Sequence, residues 1–304
     1  MEQFFPEGMG RSAAELSTEQ LRRAAAEGTV LESRAILCDE EHNLSVDLGG
    51  GRRGIIPRAE TALGIREGTV RDIAVLSRVG RPVCFKVVAR CGEKYFRLSR
   101  LAAQKEALAA MLSGLRPGSI VPAVVTSIAD FGVFCDIGCG VTALLGAERI
   151  SVSRAADPAE RFRPGQKLFA VIRNIDRESG RITLTHRERL GTWAENATRF
   201  AVGQTVPGTV RSVRDYGVFI ELTPNLSGLT EPDSTLYPGE AVSVLIRSIQ
   251  PEKTKIKLNV VSRLGQSPEP APMHYVRTHG RLDFWQYGPD EKPRFHSDFL
   301  ISSQ

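Results

Sequence analysis

The sequence predicts an all-β protein of three tandem five-stranded barrels joined by short helices. Two observations lead to this fold class. A segment of about 75 residues recurs along the chain, and within each copy short β-branched and aromatic runs are bounded by Gly, Pro and Asp. Five strands of this length cannot bury a two-layer sandwich, but they can close into a small barrel that leaves no long sheet edge exposed.

The repeat is clearest between the middle and the last parts of the chain. The two copies align in register until the middle copy gains 11 residues, after which the match resumes. The aligned pairs include Gly118 with Gly203, Gly132-Val133-Phe134 with Gly217-Val218-Phe219, and, beyond the extra residues, Pro164-Gly165 with Pro238-Gly239. A fainter upstream copy places Asp47-Leu48-Gly49 against Asp136-Ile137-Gly138. Three related units are therefore predicted.

Strand signals in the middle unit are five runs with a period of two. The runs are Val121 to Ile128, Gly132 to Ile137, Ala143 to Leu145, Lys167 to Ile175 and Arg181 to Thr185. The three units span residues 28–100, 115–189 and 201–263. We expect each unit to form one barrel.

Helical patterns are confined to the connections between these units. The extension 1–27 contains a capping box at Ser17 and Gln20, and linker helices are predicted within 101–114 and 190–200. Residues 264–304 form a Pro-rich linker over Ser267–Pro272 and an aromatic tail. We expect this tail to add a strand pair or extension docked on the last barrel rather than to remain free.

Composition excludes several classes of protein. Of the 304 residues 41% are hydrophobic and 25% charged, which is typical of soluble globular proteins. The best apolar run is interrupted by Asp136 and is too short to cross a membrane, and the N-terminus has no secretory signal. We therefore expect a cytoplasmic protein with no membrane partner.

No catalytic or metal-binding pattern is present in the sequence. The five cysteines form no C-x-x-C pair, as expected of free thiols in a reducing compartment, so a zinc site is not predicted. The five histidines are scattered, and no metalloprotease, phosphate-loop or hydrolase motif occurs. We predict no enzyme activity, catalytic residue or cofactor. The net charge of +5 does not identify a partner by itself.

A spaced set of residues in the middle unit resembles the S1 RNA-binding domain, a family named after the large RNA-binding protein of the bacterial small ribosomal subunit. The set is Gly118-(x)12-Phe131-Gly-Val-Phe134, an apolar Ala-Leu-Leu strand, Pro-Gly-Gln166, and Ile-Asp176-(x)4-Arg181-Ile-Thr-Leu-Thr185. Two clear copies after a degraded one resemble the short S1-like proteins of Gram-positive bacteria. The resemblance implies OB-fold barrels that bind single-stranded RNA, with mRNA in translation or RNA turnover as the expected ligand.

The family's binding surface falls on four residues of the middle unit. The resemblance implies that Phe131 and Phe134 stack on unpaired bases, with Asp176 and Arg181 as their acidic and basic partners. Two residues three apart on a regular strand point to opposite faces, so we expect Gly132 to bend or bulge the strand. The alternative is that one ring lies in the core. Arg173 is a secondary candidate.

The last unit keeps the aromatic positions and changes the polar ones. Tyr216 and Phe219 are the candidate stacking residues, and Lys255 is the basic partner opposite Gln250. Lys253 and Lys257 are secondary RNA-binding candidates, with a simply solvated strand face as the alternative. The contact histidine that the family often places after the third strand is absent, because Pro57, Gly146 and Glu231 stand at that position in the three units.

The first unit has the barrel pattern without the aromatic pair. His42 and Ser45 stand where the rings should be, and Arg90 and Tyr95 replace the acid and base. We expect residues 28–100 to dock onto a neighbouring barrel, a ribosome or another protein, although Arg52, Arg53 and Arg58 leave weak phosphate binding open. For the whole chain the alternatives are a protein-interaction scaffold and, below it, a single-stranded DNA-binding protein.

Overall fold

The computed structural model describes residues 4–10, 15–266, 273–289 and 295–300. Three closed five-stranded barrels follow one another along the chain, which confirms the predicted fold class. In each barrel the first strand pairs with the second and the fourth, and the third strand pairs in parallel with the fifth. The predicted Pro-rich linker 267–272 lies outside the described residues.

The first barrel is preceded by a helix, α1 (Thr18–Glu27), that begins at the predicted capping box. Ser17 and Gln20 form the reciprocal capping box, and Gly28 ends the helix in the left-handed conformation. The strands of this barrel are β1 (Leu31–Cys38), β2 (Leu44–Gly49), β3 (Arg52–Ile56), β4 (Pro82–Arg90) and β5 (Tyr95–Ser99), with a one-turn helix α2 (Ile73–Leu76) before β4. Val46, Phe85 and Leu98 are fully buried inside it.

The middle barrel follows the connecting helix α3 (Arg100–Gly114). Its strands are β6 (Ile120–Ala129), β7 (Gly132–Asp136), β8 (Thr142–Gly146), β9 (Lys167–Asp176) and β10 (Arg181–Thr185), close to the five predicted runs. The alternating inward residues, among them Val125, Val133 and Leu145, have no exposed surface. The residues that alternate with them face outward, and those that no other part of the chain covers can form a binding surface.

The last barrel repeats this design after a short connection. A 3-10 turn over Arg187–Leu190 and one turn of helix α4 (Trp193–Ala197) replace the longer linker helix that the sequence predicts. The strands are β11 (Thr205–Arg214), β12 (Gly217–Thr223), β13 (Leu226–Thr230), β14 (Glu240–Gln250) and β15 (Lys255–Gln266). Gly191 breaks the connection between the turn and α4, because its φ of 84° favours glycine.

Buried charges hold the first barrel against the middle one. The Arg100 guanidinium donates to both carboxylate oxygens of Glu7, Nε to Oε1 at 2.7 Å and Nη2 to Oε2 at 2.8 Å. The carboxylate of Asp136 accepts from the backbone N–H groups of Glu7, Gly138 and Gly140 at 2.7 to 2.9 Å. Burial nonetheless raises the pKa of Asp136 to about 7. This joint is therefore built from specific hydrogen bonds rather than a linker.

The tail docks chiefly on the middle barrel, which corrects the expected position on the last one. A two-stranded sheet is present, β16 (Phe284–Gln286) with β17 (His296–Asp298). Leu282 and Phe299 pack on Val171, and the ring of Tyr275 lies edge to face against Phe169 at 5.9 Å. The last barrel contacts the tail at Tyr287, whose hydroxyl donates to the Asn225 carbonyl at 2.6 Å and whose carbonyl accepts from the Trp193 N–H at 2.9 Å.

A buried histidine fixes the tail to the middle barrel. His186 Nδ1 lies 2.8 Å from the Ile150 carbonyl, so it must donate, and Nε2 then accepts from the Tyr275 hydroxyl at 3.0 Å. This arrangement requires the neutral imidazole. Burial lowers the pKa of His186 from 6.5 to about 4.

We expect this histidine to make stability fall on acidification. Between pH 6.5 and about 4 the unfolded chain binds a proton at His186 that the folded chain does not, so stability decreases as the pH is lowered through this window. The loss is about 3 kcal/mol at its full extent. Urea unfolding at pH 7 and pH 4.5 measures it, and the non-titrating variant His186→Gln is expected to lose this part of the pH dependence. Equal pH dependence in both proteins would contradict the assignment.

Within the described residues no helix is long and apolar enough to cross a membrane. The same residues contain no group of three or more His, Cys, Asp or Glu side chains arranged to hold a metal ion. All five cysteines are free thiols.

Candidate nucleic-acid interface

Two aromatic rings share one outward surface of the middle barrel. Phe131 lies in the two-residue turn between β6 and β7 and is 61% exposed, while Phe134 lies on β7 and is half-buried. Their ring centroids are 5.9 Å apart and the ring planes are nearly perpendicular, at 88°. Neither ring belongs to the barrel core, since the inward neighbours Val133 and Cys135 fill that space. The alternative of a core ring is therefore wrong.

The rings share a face for a different reason from the one expected. Phe131 precedes the strand and its direction is set by the turn, so the period-two rule does not apply to it. The bulge lies on the opposing strand β6, between Val125 and Ser127. Gly132 is needed because a Cβ atom there would lie 2.4 Å from the Leu145 carbonyl oxygen. A larger residue at Gly132 would push β8 away from the turn that carries Phe131.

Phe134 begins a row of outward residues that crosses the barrel. It pairs with Leu144 on β8, Leu144 with Thr183 on β10, and Thr183 with Asn174 on β9. Neighbouring strands are about 4.8 Å apart, so the row is roughly 15 Å long. Phe134 and Leu144 are half-buried and apolar, and the row ends at the exposed, polar Asn174. A base could lie flat on the apolar part, with its sugar and phosphate toward Asn174.

Asp176 and Arg181 lie two pairs further along the same two strands. They face each other in the register of β9 and β10, but they form no ion pair. The carboxylate of Asp176 instead accepts from the backbone N–H groups of Glu178 and Ser179 at 3.0 and 3.1 Å and from the Ser179 hydroxyl, and these hydrogen bonds lower the pKa of Asp176. Asp176 thus shapes the turn, and within the described residues the exposed Arg181 guanidinium has no protein partner.

The last barrel reproduces the aromatic pair closely. Tyr216 occupies the turn before β12 and is 67% exposed, Phe219 is half-buried on the strand, and their rings are 6.1 Å apart at 86°. Gly217 is required for the same reason as Gly132, because a Cβ atom at this position would lie 2.4 Å from the Thr230 carbonyl oxygen. The recurrence of this geometry shows that the short sequence motif sets the ring arrangement locally.

A lysine enters the cross-strand row in the last barrel. Phe219 pairs with Leu229, and Leu229 with Lys257, which takes the place that Thr183 has in the middle barrel. Lys255 lies two pairs further along, opposite Gln250, at the position of Arg181. Lys253 lies in the 3-10 turn between β14 and β15, and all three lysines are exposed. Lys257, ranked as secondary from the sequence, is the cation in register with the ring.

Arginines near Phe131 were partly missed by the sequence reasoning. Arg173 is the extra residue of a bulge in β9 and is exposed. Arg149 lies just after β8, where its carbonyl accepts from the His186 N–H at 2.9 Å. Partial burial and the like charge of Arg149 lower the pKa of Arg173. Arg149 belongs to no recognisable sequence motif, and it lies beside Arg173 only because the chain folds back on itself.

The first barrel has no ring pair at the corresponding surface. Ser45 takes the outward position on β2 that Phe134 has on β7, and His42 lies in a longer turn with φ of 63°. Tyr95 is 56% exposed at the start of β5, and Arg90 ends β4. These positions give the first barrel no paired stacking surface.

Comparisons with known proteins agree with this layout. Residues 115–187 match the family described as S1 RNA binding domain. The small ribosomal subunit protein bS1 of Leuconostoc lactis is 35% identical over 188 residues, which cover 57% of this chain and 43% of that protein. The bS1 of Staphylococcus aureus strain COL is 29% identical over 238 residues, covering 73% of this chain and 59% of that protein. The chain thus spans about half the length of these relatives.

Among solved structures, a multidomain protein with nucleic acid binding domains from Streptococcus pneumoniae is similar over 77% of this chain and 73% of its own. The TM-score is 0.26 and the identity 15%, too low to relate the two as whole structures.

Proposed function

We propose that this chain, whose middle barrel is an S1 RNA-binding domain in a tandem array of three barrels, is a single-stranded RNA-binding protein. The observation that carries the proposal is the exposed aromatic pair with free cations nearby, built twice with the same geometry. The relatives are ribosomal proteins, which supports mRNA as the ligand, in translation or RNA turnover, and a bacterial cytoplasmic location.

In the proposed mechanism, unpaired bases stack on the exposed rings. Each stacked base contributes about 1 to 3 kcal/mol, and every base offers a flat face, so sequence preference is weak. Arg181 and Arg173 in the middle barrel, and Lys255 and Lys257 in the last, neutralise phosphates along the strand. The protein acts by binding and performs no catalytic step.

A binding titration tests this function directly. We expect a labelled unstructured RNA to bind with strong salt dependence, measured by fluorescence anisotropy, and a DNA strand of the same sequence tests the lower alternative. Absence of binding to both strands would refute the proposed function.

Arg181→Ala gives a sharper prediction within the same titration. If Arg181 contacts one phosphate, its loss reduces the slope of log K against log salt by about 0.7, the contribution of one phosphate in a single strand. Arg22→Ala, which removes an exposed cation from α1, is the matched control and should leave the slope unchanged. An unaltered slope for Arg181→Ala would remove this residue from the phosphate contacts.

A second role, protein docking, is proposed for the first barrel alone. It lacks the ring pair and exposes apolar side chains, with Leu37 at 56% and Ile73 at 67%. Leu37 lies on β1 and Ile73 begins α2. This surface suits a ribosome or another protein, and it becomes the leading candidate for the whole chain if the titration detects no nucleic acid binding.

A further inference from the structure

We propose that the loop between β8 and β9 joins the two aromatic pairs into one continuous site for a single RNA strand. This bridging loop is residues 147–166, and it contains the 11 residues that the last barrel lacks. The inference rests on the proposed function and adds a path, a strand length and phosphate contacts.

The bridging loop begins at the first aromatic pair. The N–H of Ala147 donates to the Phe131 carbonyl at 2.9 Å, so the loop starts from the turn that carries the exposed ring. Arg149 follows within the same turn of chain, and Arg173 lies beside it on β9. The exposed Arg173 therefore stands where a strand leaving Phe131 would pass along the loop, beside Arg149, which lies 3.5 Å from the Glu148 carboxylate.

The same loop docks beside the second aromatic pair. Arg161 donates to both oxygens of the Glu221 carboxylate on β12, at 2.9 and 2.7 Å, and the Ser153 hydroxyl donates to Glu221 at 2.5 Å. The backbone N–H of Ser153 donates to the Pro224 carbonyl at 3.0 Å. Glu221 lies two residues after Phe219 on the outward face of β12, so the docked end of the loop adjoins that ring.

The docked end of the loop is held by charges that are buried and paired. The side chains of Glu221 and Arg161 are only 8% and 4% exposed. Burial alone would raise the pKa of Glu221, but hydrogen bonds from Arg161 and Arg211 outweigh it and the pKa is lowered. Arg211, the bulged residue of β11, is also paired with Glu160. These contacts fix the two barrels relative to each other.

The path between the pairs is short enough for one strand. Ala147 and Ser153 are six residues apart and thus at most about 22 Å apart, and Glu221 lies about 7 Å from Phe219 along β12. At a stacked spacing of about 3.4 Å per nucleotide this path corresponds to at most about nine nucleotides. A strand of 12 nucleotides is therefore long enough to reach both pairs, whereas a stacked strand of six, about 20 Å long, is expected to occupy one pair.

Arg154 is the phosphate contact expected midway along this path. It follows Ser153 directly, is exposed, and forms no hydrogen bond or ion pair with any other described residue. Of the other loop arginines, Arg161 is paired with Glu221, Arg163 donates to the Ala159 and Phe162 carbonyls, and Arg149 lies 3.5 Å from the Glu148 carboxylate. Arg154 is therefore free to meet a phosphate of the strand between the barrels.

The test compares oligouridines of six and 12 nucleotides by calorimetry on the full chain. We expect two 6-mers but one 12-mer per chain, with the 12-mer bound at least about tenfold more tightly, because the second contact becomes intramolecular. Two 12-mers per chain, or equal affinities, would overturn the bridge while leaving RNA binding intact. No binding of either RNA would instead refute the proposed function.

Arg154→Ala supplies the matched variant for the loop. We expect it to weaken the 12-mer about threefold or more and leave the 6-mers unchanged, since only the longer strand crosses the loop. Arg22→Ala on α1 removes an equally exposed charge and should alter neither RNA. A 12-mer affinity of Arg154→Ala equal to wild type would remove this residue from the path.

Discussion

Replacing Phe131 and Phe134 by alanine is expected to weaken binding of a 12-nucleotide unstructured RNA by about 30-fold or more. Each ring that carries a base contributes about 1 to 3 kcal/mol, and a loss of about 2 kcal/mol corresponds to that factor. Fluorescence anisotropy at fixed salt measures the change. The remaining affinity comes from Tyr216 and Phe219, so the corresponding pair of substitutions in the last barrel should remove most of it.

Controls separate lost stacking from lost folding. Phe131 is largely exposed and Phe134 half-buried, whereas the core beneath them consists of residues such as Val133, so the barrel should still form. Circular dichroism and thermal unfolding check this. Tyr95→Ala removes an aromatic ring that is 56% exposed on the first barrel, and we expect no effect on RNA affinity. Wild-type affinity in the Phe131 and Phe134 variant would refute stacking on this pair.

Glu221→Ala is expected to destabilise the joint between the middle and last barrels by about 3 kcal/mol. The substitution leaves the buried Arg161 guanidinium without its carboxylate, and breaking a buried pair on one side is costly because the remaining charge cannot be solvated. Glu221→Gln keeps the shape of the side chain and removes its charge, so we expect a loss of stability between those of the wild type and Glu221→Ala.

Tryptophan fluorescence in a urea titration reports on unfolding of the last barrel and of the docked tail. The chain has two tryptophans; Trp193 lies in the core of the last barrel, where its backbone N–H donates to the Tyr287 carbonyl at 2.9 Å, and Trp285 lies in the docked tail. Asp283→Ala breaks an exposed ion pair with Arg281 and serves as the control, with an expected change within about 0.5 kcal/mol. If Glu221→Ala lowers the free energy of unfolding by no more than Asp283→Ala does, the buried network does not hold the barrels together.

The barrels and their aromatic pairs could be predicted because their causes are local. Alternating apolar residues set the strands, and the turn Asp130-Phe131 followed by Gly132 places two rings on one surface within four residues of chain. The same motif gives nearly the same ring geometry at Tyr216 and Phe219.

The missing parts depend on contacts between residues far apart in the chain. Nothing in the local pattern shows that Arg161 reaches Glu221, that Lys257 is in register with Phe219, or that the tail returns to the middle barrel. The sequence marked the 11 extra residues of the middle unit only as an insertion, yet they lie in the loop that couples two barrels.

The strands, the turns and the positions of the aromatic rings could therefore be predicted from the sequence, because each depends on the backbone geometry of a few consecutive residues. The relative placement of the barrels, the pairing of buried charges and the path proposed for RNA were decided only by the tertiary structure. A buried charge is tolerated only when an oppositely charged partner is hydrogen-bonded to it. That partner is far away in the sequence and comes within hydrogen-bond distance only when the chain folds.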